Sequence, residues 1–273
     1  MVYTFWSSHC DYRPYTGWII GYNESTLTRS RVLDITPNGS EGSIWASGAG
    51  PAADSGGNIY FLAGNGIFAT TLDANGFPIH HDYGNVFLKI STANHRLTVA
   101  ESSADEDFGS GKDRNIYVVN RDNMGKLSPT ANHIWQELPQ GFGGPEFGMP
   151  AYFSGTLYYG AAGDVIRAFS IRQAKLSATP VSETTNRFPY PGATPSISAD
   201  GSRNAILWAV DNSNPAVLYA YDAGNLAHEL YDSNQAGSRN RFGPGNKFIT
   251  PNVANGKVFV GTTDGVAVFG LLH

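Results

Sequence analysis

Histidines and carboxylates outside the apolar runs are the residues of this chain that could act in catalysis or bind a metal. An imidazole beside a carboxylate can act as a general acid or base, and the same pairing can bind zinc, manganese or iron. A metal bound there would activate water, so hydrolysis of an ester, a lactone or a glycosidic bond is the reaction that these residues suggest. The candidate catalytic residues are His9, Asp11, His80, His81, Asp82 and Glu146.

The same residues also have a plainer interpretation, as polar side chains of solvated loops. Their spacing matches no diagnostic ligand motif, and neighbours such as His80 and His81 point in opposite directions on an extended chain. Cys10 follows His9, but adjacent residues seldom reach the geometry that a nucleophile and its base require. Metal content therefore stays open, and a packed thiol competes with a nucleophilic one.

Calcium is a second possible ion, at the acidic run Asp105-Glu106-Asp107. Carboxylate oxygens are the ligands that calcium takes, and the glycine-rich Gly109-Ser110-Gly111 follows the run. The bidentate acid that would close a calcium loop is absent, so a solvated acidic loop is the competing interpretation.

Aromatic and cationic residues in the loops predict a binding face for a small polar or glycan-like ligand. Aromatic rings within strands are explained by packing between sheets, but rings in loops are explained less well in that way. The candidate ligand-binding residues are Trp45, Tyr83, Arg187, Tyr190, Arg241 and Lys247.

The composition predicts that short strands and tight turns position these residues. The 273 residues include 32 glycines and 15 prolines, and only 15% are charged, which is a composition that disfavours long helices.

A formal charge of −5 without a basic run argues against a nucleic-acid partner, and no apolar run is long enough to span a membrane. The single cysteine excludes an internal disulfide. Met1–Cys10 lacks the regions of a secretory signal, so the compartment stays open, including a shortened form of an exported protein.

A repeat of about 50 residues organises the chain. A turn glycine, a polar residue, an apolar-aromatic strand and a second glycine recur at Gly57–Gly64, Gly155–Gly160 and Gly256–Gly261. Gly57 and Gly155 are 98 residues apart, and the equivalent Asn204 lies 49 residues further on. Such a period, with three or four short strands in each repeat, is typical of propeller blades.

Strands with an early proline precede these segments, and Ala220-Tyr221-Asp222-Ala223 follows one of them. This order resembles the pyrroloquinoline-quinone-like repeat of quinoprotein-dehydrogenase-like β-propellers. The resemblance implies an all-β propeller of about five to six blades, each of up to four antiparallel strands, in a single domain over residues 1–273. The resemblance also implies quinone and calcium as cofactors. In this family a ring of two adjacent cysteines usually covers the quinone, and a chain with one cysteine cannot form that ring.

Several blades are expected to be incomplete. Too few residues separate Val99 from Ile116 for a full repeat, the first repeat lacks an inner strand, and the last lacks an outer one. Unpaired edges recruit other strands, so the sequence predicts an open or imperfect ring, or closure through a homo-oligomer. A binding or scaffold propeller is the leading functional hypothesis, a hydrolase is the alternative, and a quinone-dependent oxidoreductase is disfavoured.

Overall fold

A computed structural model describes residues 1–104, 113–128 and 131–270 of the chain. The possible calcium ligands Asp105, Glu106 and Asp107 lie outside the described residues. The fold is all-β, and its helical segments are the short 3₁₀ helices His9–Asp11, Ala93–His95 and Ser233–Asn240. In the described part of the chain, none of the helices combines the length and apolar character that a membrane span requires.

The chain divides into two compact units, of which the first comprises Met1–Ala46, Gly50–Asp113 and Tyr117–Glu137. Its first sheet joins β1 (Val2–Trp6), β2 (Trp18–Tyr22) and β3 (Arg29–Asp34) in that order. The second sheet begins with β4 (Ala52–Ala53), β5 (Ile59–Leu62), β6 (Phe87–Ser91) and β7 (Thr98–Ala104). After β8 (Ile116–Val118), strand β9 (Lys126–Leu127) joins the second sheet parallel to β7. Strand β10 (Gln136–Leu138) pairs with β8 in a two-stranded sheet.

The second unit comprises Ser47–Ala49, Arg114–Ile116 and Leu138–His273. Its first large sheet contains β11 (Ala151–Phe153), β12 (Thr156–Tyr159), β13 (Arg167–Arg172), β14 (Lys175–Leu176) and β15 (Ser182–Glu183). The next sheet is a meander of β16 (Ser196–Asp200), β17 (Arg203–Asp211), β18 (Val217–Asp222) and β19 (Asn225–Asp232). The last sheet joins β20 (Asn252–Ala254), β21 (Lys257–Gly261) and β22 (Val266–Phe269).

The five larger sheets are the blades of a β-propeller, which confirms the expected all-β fold. The meander β16–β19 shows the four-strand plan, with antiparallel pairing between each strand and the next. The sheets β1–β3 and β20–β22 have three strands each, as the incomplete repeats predicted. That residues 1–273 form a single propeller domain stays a prediction.

Prolines and turn residues set the strand boundaries where the repeat placed them. Strands β4, β11, β16 and β20 each begin directly after a proline, where no ladder donor is needed. The turn glycines Gly57, Gly155 and Gly256 have φ values of 79°, 83° and 70°. Asn204 takes the glycine's place with a φ of 51°, because asparagine tolerates the left-handed region better than most residues.

Alternating strand residues build a separate core in each unit. In the first unit, Ile19 of β2 packs with Phe61 of β5 and Leu88 of β6. In the second unit, one cluster joins β12 and β13 to β17 and β18, and another places Leu218 against Val258 and Val260. Since each cluster is shared by neighbouring sheets, the burial of apolar side chains holds blade against blade.

Four glycines of the first unit let backbones touch directly. A β-carbon at Gly17 would lie 2.3 Å from the carbonyl oxygen of Gly42, and one at Gly66 would lie 2.4 Å from the amide nitrogen of Gly42. A β-carbon at Gly84 would lie 2.2 Å from the carbonyl carbon of Gly66. Gly17, Gly42, Gly66 and Gly84 are called the glycine stack below.

Replacing Gly84 by alanine is expected to destabilise the fold strongly, because the added methyl group meets backbone rather than a movable side chain. We expect Gly84→Ala to lower the free energy of unfolding by about 3 kcal/mol, as overpacking in a rigid site does. Urea unfolding followed by tryptophan fluorescence measures the change. Gly50→Ala is the matched control, since no atom lies within 4 Å of its β-carbon position. Equal stabilities of the two variants would contradict the close approach.

Candidate functional site

The turn that carries His9 and Asp11 is exposed and strained. Cys10 and Asp11 lie in the left-handed region, with φ values of 56° and 59°. The Tyr15 hydroxyl donates a hydrogen bond to Asp11 Oδ1. Burial, and then this hydrogen bond, raises the pKa of the Tyr15 phenol, so the phenol stays a donor at neutral pH. The exposed Cys10 Sγ lies 3.9 Å from His9 Nε2.

Glu41 is the buried acid next to this turn, and it was not among the candidates from sequence. Arg13 Nε lies 2.5 Å from Glu41 Oε1, and the Asn65 side-chain amide donates to Glu41 Oε2. The backbone of Glu41 has a φ of 68° and is fixed by its amide, which donates to the Tyr15 carbonyl at 2.7 Å. Both carboxylate oxygens are therefore engaged in holding the loop.

The segment from His80 to Tyr83 divides between surface and core. His80 and His81 are exposed, whereas Asp82 is buried and its Oδ1 accepts the Asn38 backbone N–H at 2.9 Å. Tyr83 is 4% exposed within the first core, and burial raises its pKa to about 12. Asp82 thus has a structural partner, and the Tyr83 ring contributes to packing.

The described residues contain no group of three or more histidine, cysteine, aspartate or glutamate side chains that could hold a metal ion. His9 and Asp11 lie in one loop of the first unit, and His80, His81 and Asp82 lie in another loop of that unit. Glu146, the remaining catalytic candidate, belongs to the second unit.

A buried ion-pair cluster organises the second unit. Asp164 is 1% exposed, and its Oδ2 lies 2.9 Å from Arg167 Nε and accepts the Gly143 backbone N–H at 2.6 Å. Its Oδ1 lies 3.3 Å from Arg187 Nη1. Arg187, a candidate ligand residue, also donates to the Gly163 carbonyl at 3.0 Å. Its guanidinium is therefore anchored to the loop while most of its side chain stays exposed.

Glu146 lies in the same unit as Asp164, but its surroundings differ. The Gly148 backbone N–H donates to Glu146 Oε1 at 2.8 Å, while Oε2 is buried with no hydrogen-bond donor in reach among the described residues. Burial raises the Glu146 pKa to about 8 against the lowering effect of nearby backbone amides, and the negative charge of Asp164 adds to the rise. At neutral pH the group is therefore a protonated carboxylic acid. Burial also raises the pKa of the Tyr159 phenol, with Glu146 as a second cause.

Tyr190 and Lys247, two candidates from sequence, are brought together. The Tyr190 ring is 54% exposed and meets Phe147 edge to face, with ring centroids 5.4 Å apart. Lys247 Nζ lies 5.1 Å from the centroid of the Tyr190 ring, a cation–π distance. Phe147, Tyr190 and Lys247 are called the aromatic–cation patch.

The other two ligand candidates are Trp45 and Arg241. Trp45 is 41% exposed in the first unit, and its ring meets Tyr15 edge to face at a centroid distance of 6.5 Å. Arg241 is exposed directly after the 3₁₀ helix Ser233–Asn240. Phe147, which contacts Tyr190, is not one of the six candidate ligand-binding residues, although it too is an aromatic residue of a loop.

The raised pKa of Glu146 predicts a stability that falls as pH rises. The folded chain keeps this proton up to about pH 8, whereas the unfolded chain releases it above about pH 4.5. Between these pH values the folded state binds more protons than the unfolded state. The free energy of unfolding therefore falls by about 1 kcal/mol for each pH unit. We expect Glu146→Gln to remove this part of the slope.

Urea unfolding at pH 5, 6, 7 and 8 measures the effect, with Glu137→Gln as the control for the same change at an exposed position. The wild type should match Glu146→Gln at pH 5 and become progressively less stable than that variant towards pH 8. Parallel pH profiles for the wild type and Glu146→Gln would show that Glu146 ionises normally.

Comparisons with known proteins leave the family open. No protein-family model matches the chain, and no curated protein is significantly similar to it. What is established is therefore the β-propeller architecture of the blades, while the likeness to the pyrroloquinoline-quinone-like repeat depends on the sequence motif alone.

Proposed function

We propose that this protein is a ligand-binding β-propeller whose aromatic–cation patch takes a small glycan-like ligand. Propellers serve generally as scaffolds for binding, and their loops carry the specificity. The observation that carries the proposal is the exposed Tyr190 ring, which is held in place by Phe147 and accompanied by the Lys247 ammonium.

A prearranged aromatic ring suits the apolar face of a sugar. Tyrosine offers a large, rigid surface with a polar tip, and ordering it in advance lowers the entropy lost on binding. The Phe147 edge contact orients the ring, and the Asn212 side-chain amide donates to the Tyr190 carbonyl at 3.3 Å, which restrains the backbone. The ring and the backbone of Tyr190 therefore each have a restraining contact.

The Lys247 ammonium of the patch is expected to make acidic glycans bind more tightly than neutral ones. Lys247 Nζ has three donors that can meet hydroxyl or carboxylate oxygens of a ligand lying against the ring. Arg187 is paired with Asp164 and donates to the Gly163 carbonyl, so its guanidinium is held by its own loop contacts. We therefore expect neutral and acidic sugars to bind, with the acidic ones favoured at low salt.

Loss of the Tyr190 ring is expected to abolish most of this binding. A glycan array with the purified protein identifies a ligand, and calorimetry then compares Tyr190→Ala with the wild type. We expect affinity to fall at least about tenfold, because aromatic anchors in binding sites contribute 1–3 kcal/mol or more.

Tyr152→Ala is the matched control, since Tyr152 is 63% exposed on β11 of the same unit. It removes an equally accessible ring from outside the patch and should leave affinity unchanged. If the two variants lose affinity equally, or if no glycan binds the wild type, the patch is not the site.

Hydrolysis is a second candidate function, and one observation favours it. A carboxylic acid that stays protonated at neutral pH, as Glu146 does, is the state required of a general acid. A panel of esters, lactones and glycosides tests this candidate. A true activity should fall by a factor of about 10²–10⁴ in Glu146→Gln, and no turnover above the blank would exclude these substrates.

Quinone chemistry does not fit the residues at hand. Cys10 is the single cysteine of the 273 residues, so no ring of adjacent cysteines can cover a quinone here. The described residues also lack a cluster of three metal-ligating side chains of the histidine, cysteine and carboxylate types.

A further inference from the structure

Among the described residues, the first sheet of the propeller packs on one of its two faces. Strand residues alternate between faces, and on one side Ile19 and Leu33 pack into the first core with Phe61 of the neighbouring sheet. On the other side, cross-strand pairing places Trp6 directly opposite Trp18. That side is called the first open face. Its exposed members are Val2, Trp6, Trp18 and Val32, each 37–50% exposed.

The last sheet has the same asymmetry. Val258 and Val260 of β21 are buried in a cluster that is shared with the neighbouring sheet β16–β19. On the opposite side, Val266 and Val268 of β22 are 66% and 53% exposed. Phe259 lies across from Val268 in the register and so belongs to this side as well. Phe259, Val266 and Val268 are called the second open face.

A sheet with neighbours on both sides shows what the open faces lack. In β16–β19, Leu207 and Tyr221 pack into the cluster shared with β12 and β13. Val210 and Leu218 point to the other side and pack into the cluster shared with β21. All four side chains are buried. A blade of this protein therefore packs through both faces, and the first and last sheets each lack one such neighbour in the described part of the chain.

The two open faces have complementary shapes. The first presents the indole rings of Trp6 and Trp18, and the Trp6 ring is held by its N–H, which donates to Thr4 Oγ1 at 2.9 Å. The second presents smaller side chains around Gly261, which lies across from Val266. A β-carbon at Gly261 would have no atom within 4 Å apart from its own chain neighbours. Large rings on one sheet and open positions on the other allow side chains to interdigitate when two sheets pack.

The composition of the faces identifies the partner. None of their exposed members carries a charge, which disfavours a nucleic acid and favours a second protein sheet. Each chain has one first open face in its first unit and one second open face in its second unit. A second copy of the chain therefore brings a complementary sheet for either face. We propose that the protein self-associates head to tail, with the second open face of one copy packed against the first open face of another.

The size of the faces sets the strength of this association. A face of three strands, each about five residues long, spans roughly 16 Å by 10 Å. Stable interfaces bury about 800 Å² on each partner, which is more than one such face provides. The association is therefore reversible and depends on concentration, with a dissociation constant in the micromolar range.

Sedimentation velocity at protein concentrations from about 1 μM to about 100 μM tests the proposal, and we expect the mean mass of the wild type to rise with concentration. Trp6→Lys places a charge in the first open face, and Val268→Lys places one in the second. Each variant alone should associate at least about tenfold more weakly, because the contact would bury an unpaired ammonium group. Tyr152→Lys is the matched control, since Tyr152 is exposed on β11 outside both faces, and it should associate as the wild type does.

Mixing the two variants tests the head-to-tail arrangement directly. Each variant keeps one intact face, so an equimolar mixture of Trp6→Lys and Val268→Lys should form a heterodimer although neither associates alone. A symmetric contact through the first open face alone would instead leave Val268→Lys associating as the wild type does. Circular dichroism checks that the variants are folded, and Val2→Lys and Val266→Lys repeat the test at second positions.

The proposal is overturned if the wild type stays monomeric over this range, if either variant associates as tightly as the wild type, or if the mixture of folded variants stays monomeric. Tyr190→Ala should leave self-association unchanged, because Tyr190 lies in the aromatic–cation patch and in neither open face. Failure of the glycan site and failure of the open faces are therefore distinguishable.

Discussion

The buried carboxylate of Asp164 is the interaction on which the loops of the second unit depend. It joins Arg167, Arg187 and the Gly143 backbone N–H, which come from separate segments of the chain. Glu41 and Asp82 do the same in the first unit with Arg13, Asn65 and the Asn38 backbone. With little helix available, a carboxylate is an efficient acceptor for loop donors, because each of its two oxygens can take more than one hydrogen bond.

Glu146 shows how strongly the surroundings decide what the same functional group does. Asp164 is paired with two guanidinium groups, whereas Glu146 Oε1 accepts the Gly148 backbone N–H and its Oε2 is buried with no donor in reach among the described residues. The first carboxylate is a structural anion and the second holds a proton. In the proposed hydrolase function Glu146 would therefore supply the proton, whereas Asp164 holds loops together in either proposed function.

Much of the fold could be predicted because it depends on local rules. A proline before each inner strand and a left-handed residue at each turn mark strand boundaries through sterics alone, and the structure confirms them. The partners of Glu41 and Asp164 could not be predicted, because both are set by loops far apart in sequence. Tyr83 shows the same limit. The sequence around a tyrosine does not tell whether its ring lies on a loop surface or in the core, and the structure places Tyr83 in the core.

The glycine stack has a consequence for how relatives of this chain should be compared. A β-carbon at Gly17, Gly66 or Gly84 would meet backbone, and Gly42 has a φ of 70°, so geometry favours glycine at all four positions whatever ligand the protein binds. Invariance at these columns of an alignment would accordingly reflect selection for folding. Evolutionary signal about the proposed binding should instead be sought at the exposed Tyr190 and Lys247.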